Sequence, residues 1–127
     1  MDARVYLATG TDDIANLIMI GTPNAGSQAA GINNVCAPAI DDLRPRAKAT
    51  KAEMNPNTKY YTITDDWMPL NQGNPLIPGH DDGLVPVDSV NSEGYFQSLG
   101  MTEHSHAELL SEKEYDISKD ILLGKKQ

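Results

Sequence analysis

Leu17-Ile18-Met19-Ile20 is an uninterrupted apolar run inside residues 14–21, closed by Gly21 and Thr22-Pro23. A short continuous run of this kind fits a strand buried on both faces, as in a parallel sheet covered by helices. Periodicity alone does not separate such a strand from a buried helix, but the length and the Gly/Pro stop favour strand. A second strand is expected at 59–64, KYYTIT, where aromatic and β-branched residues cluster. Ahead of both, residues 2–9 suit a short helix, with Ala3, Tyr6 and Leu7 on one face and Gly10 as a stop. The last element has the clearest signal. Ser105-His106-Ala107-Glu108 has the spacing of a capping box, in which serine and glutamate satisfy each other's free backbone donors. Leu110, Ile117 and Ile121 then recur at helical spacing, with Leu109 and Leu122 widening the stripe. A helix from about 106 to 122, ending at Gly124, is expected.

Between these elements the chain is rich in small residues and turn formers. Pro38, Pro45 and Pro56 rule out a long regular element in 21–56 and leave one candidate helical turn at 39–43. The second strand runs into Asp65-Asp66-Trp67 and a Pro/Gly/Asn loop, after which Leu84-Val85-Pro86-Val87 is too short to be more than an edge strand or a buried loop. Strand, long excursion, strand, acidic loop and final helix predict α/β architecture, with few parallel strands and flanking helices. At 127 residues this is one domain, 1–127, with a core of modest size.

Composition narrows the function classes. Acidic residues outnumber basic ones 18 to 10, giving a net charge of −8. That average repels a polyanion, and no basic stripe with interleaved aromatics offsets it, so nucleic acid is not an expected partner. No apolar run approaches a transmembrane span. No signal peptide is visible at Met1-Asp2-Ala3-Arg4, which leaves a soluble, cytoplasmic chain as the default expectation. The single cysteine, Cys36, excludes an intramolecular disulfide and a cysteine-rich zinc site, and reads as a small buried residue.

The chemistry-bearing residues sit late in the chain. His106 falls in the first turn of the expected final helix, and Asp82 lies on a loop that follows a strand. In open α/β sheets reactive side chains gather beyond the carboxyl ends of strands. A histidine acting as general base needs a carboxylate on its other ring nitrogen to fix the tautomer and stabilise the imidazolium. The remaining candidates have simpler readings. Asp12-Asp13, Asp41-Asp42, Asp65-Asp66 and Asp81-Asp82 are read mostly as solvated turn residues, and His80 and His104 as exposed loop residues. Ser27 and Ser105 read as helix caps, while Ser89 and Ser111 lack glycine flanks. Calcium on Asp81 or Asp88 matches no EF-hand spacing. A transition metal on His104 and His106 lacks a further clear ligand. No metal and no cofactor are expected.

Taken in order, IANLIMIGTPNAGS, HDDGLVPVDSV and HSHAELL resemble the carboxyl-terminal half of an α/β-hydrolase of the lipase/esterase type. The resemblance implies that Asp82, directly before Gly83, is the triad acid and that His106 is the triad base. It implies hydrolysis of carboxylic esters, with lipid-like or acyl substrates. The chain departs from the family at one decisive point. The nucleophile elbow, G-x-S-x-G, occurs nowhere in it. The serine, the central strands and the oxyanion-hole loop are then expected upstream of residue 1, and the chain alone is expected to be silent or feeble. The alternative expectation is a non-catalytic assembly module that forms a homo-oligomer or pairs with a separate amino-terminal half.

Overall fold

The computed structural model describes residues 2–32, 38–67 and 74–125. Three strands form one parallel sheet in the order β1-β2-β3: β1 is Asn16–Ile20, β2 is Lys59–Asp65 and β3 is Gln97–Thr102. The helices are α1 (Asp2–Leu7), α2 (Ala29–Ile32), α3 (Pro38–Asp42), α4 (Val87–Val90) and α5 (Glu112–Leu122), with single 3-10 turns at Lys48–Lys51 and His106–Glu108. The protein is a small α/β structure with helices flanking a parallel sheet, as its apolar runs predict.

Register divides the sheet into two faces. Leu17 pairs with Tyr60 and Met19 with Thr62, so Leu17, Met19 and Tyr60 share one face. There Leu7 of α1, Met19 and Tyr60 form a buried core, with Ile14, Leu17, Tyr95 and Phe96 packed against it. Arg4, 2% exposed, stacks its guanidinium 5.1 Å from the centre of the Phe96 ring and donates to Asn24 O and Ala52 O. Helix α5 packs across β1 and β3 on the other face. No helix among the described residues is long and apolar enough to cross a membrane.

Several elements differ from their sequence expectation. Strand β3 carries no apolar alternation, and its only buried residue is Thr102. Backbone pairing with β2 makes it a strand. One residue, Leu99, is extra, because Thr62 pairs with Ser98 while Ile63 pairs with Gly100. Helix α1 stops at Leu7, and Gly10 closes it at φ +85°. Of the two expectations for 84–87, the loop holds and the edge strand does not. Leu84 is exposed and Val85 buried, and Val87 already begins α4.

The expected helix 106–122 is interrupted. A single turn, His106–Glu108, is followed by Leu110 in the left-handed region at φ 74°, and α5 starts only at Glu112. The cause is a second capping box, Ser111-x-x-Glu114, which restarts the helix. The buried face of α5 is accordingly Glu114, Ser118 and Ile121, whereas Leu110 is 80% and Leu122 67% exposed. Cys36 lies outside the described residues.

Candidate active site

The loop after β2 and the segment after β3 meet beyond the carboxyl ends of the strands. Asp81 and Asp82 shape their loop by accepting backbone donors within it. Asp81 Oδ1 accepts from Gly83 N at 2.7 Å, and Asp82 Oδ1 accepts from Leu84 N at 3.0 Å and Val85 N at 2.7 Å. Gly83 takes φ +99° so that the loop turns back, and Trp67 covers it. Asp81 was expected to be solvated, but it is fully buried, as its carboxylate also accepts from Asn74 N at 3.0 Å. Asp65 and Asp66 are buried too, which corrects the reading of these acid pairs as solvated turns.

With Oδ1 committed to its own loop, Asp82 has Oδ2 free to face His106. His106 Nδ1 lies 2.7 Å from that oxygen, and His106 N donates to Asp82 O at 2.7 Å. The carboxylate is 1% exposed, whereas the imidazole is 34% exposed. The side chain and backbone contacts together fix the ring relative to the loop. The hydrogen bond to Asp82 holds His106 above the usual imidazole range, against the opposing effect of burial, and the charges of Asp82 and Asp65 act in the same direction. With Nδ1–H donated, the tautomer that remains leaves the Nε2 lone pair available.

His106 borders an open groove of about 730 Å³ whose walls include Ile20, Pro23, Leu43 and Leu109. Gly21, at the end of β1, permits this arrangement. It takes φ +51°, and a Cβ there would lie 3.2 Å from Asp82 Oδ2 and 2.5 Å from Leu109 Cδ1. The glycine read in the sequence only as a strand stop is thus also the close neighbour of the acid.

No family model, no curated protein and no solved structure matches this chain. The chemistry therefore rests on geometry.

The hydroxyls of Ser27, Ser89, Ser105, Ser111 and Ser118 are engaged elsewhere. Ser27 Oγ accepts from Ala29 N at 3.1 Å, which is the expected cap, and donates to Leu84 O. Ser89 Oγ donates to Gly26 O at 2.6 Å, Ser105 Oγ to Glu108 at 2.8 Å, and Ser118 Oγ to Glu114 O at 2.8 Å. Ser111 Oγ binds the Glu114 carboxylate. None is bonded to His106.

Two further acid–histidine couples were missed in the sequence. His80 Nδ1 lies 2.7 Å from Asp66 Oδ2, and His104 Nδ1 lies 2.8 Å from Glu114 Oε1. His80 is 71% exposed on its side chain, as expected of a loop residue, but His104 is only 21% exposed. The box Ser111-x-x-Glu114 was the one available signal that Glu114 points inward.

Proposed function

We propose that Asp82 and His106 are the acid and base of a serine-hydrolase relay acting on carboxylic esters, in a partial α/β-hydrolase fold. The observation that carries this reading is the 2.7 Å contact of the buried Asp82 carboxylate with His106 Nδ1 beside an open groove. In such a relay a serine oxygen attacks the ester carbonyl while its proton passes to Nε2 of neutral His106. Asp82 stabilises the imidazolium, which returns the proton to the departing alkoxide. Water then repeats the cycle and frees the acid. The apolar part of the lining suits a lipid-like or acyl chain, although Asp2 and Asp42 line the groove as well.

The nucleophile is assigned to a glycine-flanked serine outside these 127 residues, because the chain holds no G-x-S-x-G and the serines nearest the site are hydrogen-bonded elsewhere. The chain alone should then be silent toward esters. Exposed to a fluorophosphonate, it should show no adduct by intact mass. Stoichiometric labelling of any serine would overturn the assignment of the nucleophile to another segment.

A second reading, an assembly module, is favoured by the edge of β1. Among the described residues that strand pairs only with β2, and its sequence, NLIMI, has no charge or proline to blunt the open side. Pairing there with a second copy, or with the chain that brings the serine, would satisfy the free backbone groups. Sedimentation at micromolar concentration should reveal dimers or larger species. A stable, compact monomer removes this reading.

A further inference from the structure

Asp65 ends β2, His104 lies just past β3, and Glu114 sits in the first turn of α5. They converge so that one ligand atom from each lies within 4.8 Å of the others. None of the three belongs to the Asp82–His106 pair.

The hydrogen bonds among them are one donor short. Glu114 Oε2 is held by Ser111 N at 2.8 Å and by the Ser111 hydroxyl. Glu114 Oε1 faces His104 Nδ1 at 2.8 Å and the Thr102 hydroxyl at 2.9 Å. The same Thr102 hydroxyl also meets Asp65 Oδ1. One hydroxyl carries one proton and cannot donate to both carboxylates. Asp65 Oδ2 is buried with no hydrogen-bond partner, on a residue 2% exposed. Two acids meeting away from water with too few donors is a costly arrangement unless one of them takes up a proton or a cation joins them.

We propose that Asp65, His104 and Glu114 form a binding site for a divalent transition-metal cation, with zinc the best match to one imidazole and two carboxylates. On binding, His104 would move its ring proton from Nδ1 to Nε2 and present the Nδ1 lone pair to the metal. Asp65 Oδ2 would gain the partner it lacks, and the Thr102 hydroxyl would be left with a single carboxylate to serve. Ser111 holds the other Glu114 oxygen, as the outer contacts of metal ligands do. The partly exposed His104 ring gives the ion a way in from solvent.

The test is calorimetric titration of the chelator-treated full chain with zinc, followed by cobalt(II) absorption. Wild type should bind one ion and gain roughly 10 °C in Tm at a hundredfold excess over Kd. Asp65→Asn and His104→Gln should each weaken binding by at least about tenfold. Cys36→Ser and His80→Gln should bind as the wild type does. No saturable binding, or binding unchanged in both ligand variants, overturns the site. If those variants do not fold, NMR of the wild type decides: zinc should shift the His104 ring resonances, and shifts confined to His80 or His106 overturn it. Failure here would leave the Asp82–His106 reading intact, because the two sites share no residue.

Discussion

Replacing Asp82 with Asn lowers the titration midpoint of His106 and abolishes its Nδ1 proton signal. In the wild type that proton is donated to Asp82 Oδ2 at 2.7 Å, and this bond is the largest cause of the raised His106 pKa. An asparagine keeps an oxygen for the Leu84 and Val85 amides but turns an N–H₂ toward the imidazole. The ring must then accept at Nδ1, which puts its own proton on Nε2, the wrong tautomer for a general base. NMR-monitored titration should show the midpoint falling to the ordinary imidazole range or below it. The effect on stability depends on pH in a defined direction. A group whose pKa is raised by folding contributes fully below its unfolded value of about 6.5 and loses that contribution as pH rises through the folded value. The variant should therefore be less stable than wild type by about 1–2 kcal/mol in mild acid, with the gap closing in alkali. Partial exposure of the ring places the figure toward the lower end. An unchanged midpoint would mean that the contact does not form in solution.

Gly26→Ala should be strongly destabilising. Gly26 adopts φ +86°, and a Cβ there would fall 2.6 Å from Arg44 C, Arg44 O and Pro45 N. These are backbone atoms, so no rotamer change relieves the overlap. The glycine is also held on both sides, since its N donates to Pro23 O at 2.8 Å and its O accepts from Ser89 Oγ at 2.6 Å. Left-handed strain and overpacking together should cost about 3 kcal/mol or more, a fall in Tm of roughly 10 °C. Gly10→Ala is the control. Gly10 has nearly the same φ, +85°, but open space where the Cβ would go. It should lose only about 1 kcal/mol, from backbone strain alone. Equal losses in the two variants by urea unfolding would show that packing at Gly26 is not the cause.

The sequence by itself determined β1 and β2, because a continuous apolar run closed by Gly-Thr-Pro and a β-branched, aromatic run are local signals, although β1 proved to be an edge strand with only Met19 buried. It also determined the Ser27 cap and the Ser105–Glu108 box, whose partners lie within a single turn. Asp82 and His106 were legible as candidates from motif order, but their 2.7 Å contact joins loops far apart in the chain and came only with the fold.

Tertiary structure decided the rest. Gln97–Thr102 became a strand through hydrogen bonds to β2, and no side-chain pattern announced it. Leu110 and Leu122 face solvent, while Glu114 and Ser118 face the sheet, because a second cap at Ser111 reset where the helix begins. The acids at 65, 66, 81 and 82 are buried, although short polar clusters usually mark solvated turns. The physical reason is common to all of these. Periodicity and capping act between residues one turn or one strand apart, whereas burying a carboxylate depends on donors outside that range, Asn74 seven residues away for Asp81 and Thr102 from another strand for Asp65.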